Sequence, residues 1–124
     1  MPKKAKQKSP FEGRWRITWM DQWDQDYVDA EVEGFIEFEP KGLGCFQFGY
    51  VQGQTDCRST IRDGKPAVEF SWDGGDGADG TPLTGRGWAV LDGDELDGMI
   101  CIHLGDESAF KATKIVRTTK GKGP

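Results

Sequence analysis

The chain has few residues of the types that carry out catalysis. Cys45, Cys57 and Cys101 are its three cysteines, and His103 is its single histidine. None of these residues has a spacing typical of a nucleophile with its base and an orienting carboxylate. Pairs of Asp and Glu fall in turns, where exposed carboxylates keep ordinary pKa values and make weak acid–base catalysts. These residue types favour a protein that is not an enzyme.

Two groups of residues, the aspartates of one glycine-rich segment and the cysteines, have some of the ligands that a metal site needs. Asp73, Asp76 and Asp79 lie three residues apart with glycines between them. A calcium loop has similar oxygen ligands, but it also needs a bidentate Glu that this segment lacks. The cysteines are odd in number and have no C-x-x-C spacing, which argues against a zinc site or a disulfide scaffold. We therefore expect a flexible acidic loop, a surface histidine at His103, and no metal or other cofactor.

Eight short runs of alternating apolar and polar residues occupy residues 11–113. A period of two is typical of a β-strand with one buried face. Short turns rich in Gly, Asp and Pro join the runs, so successive strands are expected to pair antiparallel. Eight such strands can close on themselves and leave no exposed edge. We predict an all-β protein with a single eight-stranded antiparallel up-and-down β-barrel. A β-sandwich is the alternative, but it needs a long crossover connection.

The predicted strands cover residues 13–20, 31–39, 43–51, 55–61, 66–72, 83–91, 96–104 and 108–113. In the first strand, alternation places Trp15, Ile17 and Trp19 on one face. The sixth strand is ambiguous because large residues such as Trp88 alternate with Gly85, Gly87 and Ala89, and either set could face inward.

Charge divides the chain into three parts. The formal net charge is −5, yet every Asp and Glu lies between Glu12 and Glu107. We expect a basic disordered tail at residues 1–10, the barrel at 11–113, and a basic C-terminal tail at 114–124. An acidic body repels the phosphate backbone, so nucleic acid binding is expected only through the tails, if at all.

The N-terminal segment and the cysteines bear on location. Lysines in the first eight residues are not followed by an apolar stretch, so they do not form a secretory signal. No apolar run is long enough to span a membrane. Cysteines within strands usually act as small apolar fillers in a reducing compartment. We expect a cytoplasmic protein with no membrane contact.

The first strand begins with Gly13-Arg14-Trp15, which resembles the G-x-W motif of the calycin superfamily of lipocalin-like barrels. The long first connection resembles the loop that folds over the open mouth in that superfamily. The resemblance implies a barrel that binds a small hydrophobic molecule, and a basic residue, Lys114 or Arg117, packed on the G-x-W tryptophan. Some calycins use a histidine as an axial haem ligand, but alternation points His103 outward.

The two longest predicted connections, residues 21–30 and 73–82, belong to the same end of such a barrel. Trp23 and Tyr27 are four residues apart, so one helical turn would put both rings on one side of a short lid. We therefore predict a short helical or irregular lid at residues 21–30 over an acidic mouth. The acidic residues of this mouth are Asp21, Asp24, Asp26, Asp73 and Asp76.

Two functions fit these patterns. In the first, the barrel binds a small hydrophobic or aromatic ligand, neutral or cationic, at the mouth. In the second, the barrel is packed solid and acts as a protein-interaction module, with Phe35 among glutamates, or the mouth, contacting a basic partner. An eight-stranded barrel is wide enough either to be filled by side chains or to hold one small ligand. The candidate ligand-binding residues are Trp19, Trp23, Tyr27, Phe38, Phe48, Tyr50, Phe70, Trp72 and Trp88.

Overall fold

The alternating runs form a closed barrel in the computed structural model, which describes residues 9–115. Each strand pairs antiparallel with the next, and β8 closes the barrel against β1. This confirms the predicted all-β, eight-stranded up-and-down architecture. The strands are β1 (Gly13–Met20), β2 (Phe35–Phe38), β3 (Leu43–Phe48), β4 (Val51–Arg62), β5 (Lys65–Asp76), β6 (Thr81–Asp92), β7 (Glu95–Ile102) and β8 (Glu107–Lys114).

Two short helical segments complete the chain. A single-turn helix, α1 (Gln25–Val28), follows β1, and a 3-10 turn (Pro40–Gly42) joins β2 to β3. The connection containing α1 lies at the same end as the turns β3–β4, β5–β6 and β7–β8, and we call this the lid end. The opposite end, with shorter turns, is the plain end. Most of the predicted tails falls outside the described residues, but Lys114 is the last residue of β8.

The β5–β6 hairpin is longer than the sequence predicts. Residues 73–82 were expected to form a long loop, but Gly75 pairs with Pro82 and Asp76 pairs with Thr81. The remaining turn covers residues 77–80. The prediction is wrong because glycine here permits close strand approach: a Cβ at Gly74 would overlap the carbonyl oxygen of Gln52 on β4. Conversely, β2 is shorter than predicted and contains only Phe35–Phe38.

A β-bulge in β1 reverses the alternation of its last residues. The pairing of β1 with β8 shifts register between Ile17 and Trp19. Trp15 and Ile17 face the interior as expected, but Trp19 is 44% exposed on the outer wall and Met20 is buried instead. The prediction that Trp19 shares the inner face is therefore wrong, because an extra residue in one strand moves the following side chains to the other face.

Aromatic rings fill the interior by lying over glycines of neighbouring strands. A Cβ added to Gly53 would lie 2.5 Å from the Phe46 ring and 2.8 Å from the Trp72 ring. A Cβ on Gly87 would lie 2.5 Å from the ring of Phe70. The small residues of β6 therefore face inward, which resolves the ambiguity of that strand. The rings Trp15, Phe38, Phe46, Phe48, Phe70, Trp72 and Phe110 are all 5% exposed or less.

The plain end is closed by the tryptophan of the Gly13-Arg14-Trp15 segment. The Trp15 indole Nε1 donates a hydrogen bond to the Phe11 carbonyl at 2.9 Å. Lys114 lies over the Trp15 ring at 4.8 Å and donates to the Glu12 carbonyl at 2.7 Å. Gly13 has a φ of +117°, and a Cβ there would press on the Lys114 stem at 3.1 Å. The expected basic residue on Trp15 is thus Lys114.

We expect Gly53→Ala to lower the free energy of unfolding by about 1–3 kcal/mol, because a methyl group between two packed rings forces strain in the core. Gly77→Ala is the control, since the nearest atom to its added Cβ is the Tyr50 carbonyl oxygen at 3.4 Å. Its effect should stay within about 0.5 kcal/mol. Urea unfolding measures both values. Equal stability of the two variants would show that the rings are not held against Gly53.

Candidate functional site

The lid end is closed by two aromatic side chains of the first connection. Asp24 caps α1 by accepting a hydrogen bond from the Tyr27 N–H, which fixes the helical turn. Trp23 and Tyr27 consequently stack, with ring centroids 6.3 Å apart. Trp23 also packs on Phe48 at 4.8 Å, and the Tyr27 ring occupies the space that a Cβ of Gly49 would need. The predicted helical lid is present, and its two rings face the barrel.

The predicted ligand-binding residues lie in three separate places. One group meets at the lid end, a second is buried in the interior or at the plain end, and a third lies on the outer wall. The lid-end group is Trp23, Tyr27, Phe48 and Tyr50. The buried group is Phe38, Phe70 and Trp72, and the outer-wall group is Trp19 and Trp88. The lid-end rings are in contact with one another, so a ligand there would compete with their mutual packing. Binding at this place stays a prediction.

The acidic residues expected at the mouth do not form a single cluster. Asp21, Asp24 and Asp76 each accept a backbone N–H, from β8, α1 and the turn after β5 respectively. Asp26 is exposed on α1, and Asp73 is exposed within β5 and not in a loop. Three of the five carboxylates therefore have local structural roles as acceptors.

A carboxylate that the sequence did not single out holds the lid to the barrel. Asp29 accepts hydrogen bonds from the Gly34 N–H at 2.8 Å, from Gln25 Nε2 at 3.1 Å and from Arg16 at 3.0 Å. Burial raises the pKa of the Asp29 carboxyl, but these hydrogen bonds and the Arg16 charge outweigh burial and lower the pKa below its ordinary value of 3.8. The ionised form of Asp29 is therefore the one that the folded lid prefers.

The outer wall carries an open groove of about 560 Å³ across strands β4 to β8. We call it the outer groove. Its apolar floor is formed by side chains of β6 and β7, its basic groups come from β4 and β6, and its acidic groups come from β4, β5 and β8. The floor residues are Trp88, Met99 and Cys101. The basic residues are Arg58, Arg62 and Arg86, and the acidic residues are Asp56, Glu69 and Glu107.

The outer groove consists of residues that are distant in sequence but lie side by side because their strands are paired. Trp88 pairs with Glu69 on one side and with Met99 on the other. In the next row, Arg86 pairs with Ser71 and with Cys101. The small Ser71 and Cys101 side chains leave space between larger neighbours, and this difference in size makes the wall concave.

The arginines of the outer groove are not held by ion pairs among residues 9–115. The Arg62 guanidinium lies 3.9 Å from the centroid of the Trp88 ring, which is a cation–π contact. Arg62 belongs to β4 and Trp88 to β6, and Ala67 on the intervening strand β5 is buried. Within the described part of the chain, Arg58, Arg62 and Arg86 have no carboxylate oxygen within 4.0 Å. By contrast, Arg14 lies over a ring in the same way but is paired with an acid. The guanidinium groups of the groove therefore retain donors for a partner.

Cys101, in the floor of the outer groove, is not an activated nucleophile. Burial raises the pKa of its thiol, the Glu107 charge raises it further, and Arg86 opposes them without cancelling the shift. A thiol with a raised pKa stays protonated at neutral pH and reacts slowly. The groove is accordingly equipped for recognition by stacking, apolar contact and hydrogen bonding, and its cysteine adds packing.

Comparison of the chain with protein-family models, with curated proteins and with solved structures finds no match. The geometry of the barrel is therefore the basis for interpreting its function. No helix within residues 9–115 is long and apolar enough to cross a membrane. In the same described range, no three His, Cys, Asp or Glu side chains come together in a way that could hold a metal ion.

The outer groove is not apparent from the sequence. The sequence predicts Trp88 as a candidate ligand-binding residue, leaves the inner face of its strand open, and does not single out Arg58, Arg62 or Arg86. One signal was available: large side chains on β6 alternate with Gly85 and Gly87, and an interior packed by rings requires the glycines inside. Trp88 then has to face outward, beside Arg86 on the same strand.

We expect Asp29→Asn to lower the free energy of unfolding by about 1–3 kcal/mol at neutral pH, because a neutral amide is a weaker acceptor for three donors. The folded-state pKa of Asp29 is depressed, so its stabilising effect is present above its ordinary pKa and disappears as pH falls through the lower folded value. The difference between wild type and variant should stay constant from neutral pH down to the ordinary value of 3.8 and shrink as the pH falls below it. Denaturant unfolding across this range measures it.

Asp73→Asn provides the matched control, since Asp73 is exposed on the outer wall. Its difference from wild type should be small at every pH. A difference for Asp29→Asn that does not change with pH would show that the charge of Asp29 does not stabilise the lid.

Proposed function

We propose that this protein is a non-catalytic binding module that recognises a partner protein through the outer groove. The observation that carries the proposal is the half-buried Trp88 under the guanidinium of Arg62, beside Met99, in an open concave surface. Trp, Met and Arg are the residue types enriched in protein–protein interfaces, and Trp and Arg most often carry the binding energy.

The packed interior of the barrel favours a binding site on its outer surface over one inside it. Rings from most of the strands are buried in the barrel, several of them against glycines, and they leave little room for a ligand the size of a fatty acid or a cofactor. Replacement of these rings by smaller residues would be needed to open a cavity. This favours the interaction-module hypothesis over a ligand held inside the barrel.

The proposal extends to two finer features. A calycin-like ancestry is supported by the Gly13-Arg14-Trp15 segment and by Lys114 on the Trp15 ring. A cytoplasmic location is supported by the free thiols of Cys45, Cys57 and Cys101, which are not paired with one another. A basic partner for the acidic lid end is a separate part of the interaction hypothesis, and it rests on the exposed carboxylates of that end.

A second candidate is the binding of a small hydrophobic, neutral or cationic ligand at the lid end. It is favoured by the partial exposure of Trp23 and Tyr27, which lie on a connection with one helical turn. Displacement of this short lid would uncover Phe48, against which Trp23 packs.

We expect Trp88→Ala to weaken capture of the partner at least about tenfold, because truncating a central tryptophan removes a typical interface hot spot. A photo-crosslinking amino acid placed at Ser71, which is exposed in the groove, should form an adduct with the partner in cells that make the protein. Affinity capture of wild type and variant from extracts of these cells quantifies the change.

Trp19→Ala is the control, since Trp19 is an exposed tryptophan outside the outer groove. It should capture the partner as wild type does, and a crosslinker at Thr18 should give no adduct. Adducts that form equally from Thr18 and Ser71, or capture that survives Trp88→Ala, would contradict the proposal.

The lid-end candidate predicts that the neutral dye Nile red binds with increased emission and quenches tryptophan fluorescence. Trp23→Ala should remove the quenching, because Trp23 is the tryptophan that packs on Phe48 at the lid end. Trp88→Ala should leave it unchanged. A dye response that is absent in the wild type, or that follows Trp88, would exclude the lid end as the site for such ligands.

A further inference from the structure

We propose that the segment bound by the outer groove is a short acidic peptide strand of the partner, with a carboxylate next to an apolar side chain. This rests on the proposed function and specifies the chemistry of the partner. The apolar side chain would pack on Trp88 and Met99, and the carboxylate would be held between Arg62 and Arg86.

One guanidinium lies on the Trp88 ring, and a second belongs to the same face of β6. Arg62 reaches the ring from β4 and lies 3.9 Å from its centroid, while Arg86 is two residues before Trp88 on the same face of β6. Neither is in an ion pair within residues 9–115. Guanidinium groups bind carboxylates with two parallel hydrogen bonds, and such charge-assisted bonds are stronger than neutral ones.

Two of the three acidic groups of the groove lie at the ends of the row of Arg86, and the third, Glu69, lies beside Trp88. Arg86 has Ser71 and Cys101 as its lateral neighbours, and both are uncharged. Asp56 and Glu107 are one strand further out on either side of that row. Glu69 is the lateral partner of both Trp88 and Arg58, so Arg58 is the nearest guanidinium to balance it. The row of Arg86 is therefore basic at its centre and acidic at its two ends.

This charge pattern selects a short acidic segment over a polyanion. Acidic edges and a net charge of −5 for the whole chain oppose the approach of nucleic acid, whose phosphates would extend beyond the basic centre. One carboxylate fits beside Arg86, between the uncharged Ser71 and Cys101, without meeting the acidic ends of that row. Three strand spacings separate β4 from β7, about 14 Å, which corresponds to about four residues of extended peptide.

A library of random short peptides displayed on phage provides the test. The library is first depleted on Trp88→Ala and then selected on the wild-type protein, so that retained peptides depend on the groove. We expect the retained peptides to share an acidic residue adjacent to a large apolar one. Arg62→Gln and Arg86→Gln should each weaken binding of a selected peptide about tenfold, because each removes a charged donor and leaves Trp88 in place.

Arg14→Gln is the matched control, because Arg14 also lies over an aromatic ring, Phe35, but outside the groove. It should not change peptide affinity. Retained peptides without acidic residues, or affinities insensitive to Arg62→Gln and Arg86→Gln, would overturn the acidic chemistry and leave the proposed function standing. If no peptide distinguishes the wild type from a folded Trp88→Ala variant, both the acidic chemistry and the groove as an interaction surface fail.

Discussion

The packing of large rings against residues that have no side chain is the constraint on which this barrel depends. Eight short strands enclose little volume, so an inward Phe or Trp fits only where a neighbouring strand supplies glycine. Gly85 also leaves room for a hydrogen bond, which the Trp72 indole donates to the Cys101 carbonyl. A Cβ at position 85 would overlap that carbonyl. Filling the interior in this way leaves the outer wall as the proposed place of recognition.

The fold was predictable because its signals are local. Period-two alternation and turn residues within each run give the strands and their antiparallel order. The errors arise where a tertiary feature overrides local pattern. One unpaired residue before Trp19 reverses its orientation, and glycines around Gly74, which locally resemble a loop, serve close contact with Gln52 on β4. The outer groove depends on register across five strands, and no single run of sequence contains it.

The lid and the outer groove show two uses of arginine beside acidic groups. At the lid, Arg16 is paired with Asp29 in a network that also includes Gln25 and a backbone N–H, so its charge is neutralised within the fold. On the outer wall, Arg62 rests on a ring and keeps its charge available. Contact with a ring positions a guanidinium without neutralising it, whereas contact with a carboxylate does both. This difference separates the structural surface at the lid from the proposed recognition surface on the outer wall.

Closure between the first and last strands has a consequence for how the protein is made. β1 finds its second partner only in β8, and Lys114, which covers Trp15, belongs to that last strand. Until β8 leaves the ribosome, one edge of β1 has no hydrogen-bonding partner and the indole ring lacks its cover. Pairing of such high contact order is slow, so a sheet formed before it has two edges without hydrogen-bonding partners. The newly synthesised chain is at its most aggregation-prone just before β8 becomes available to β1.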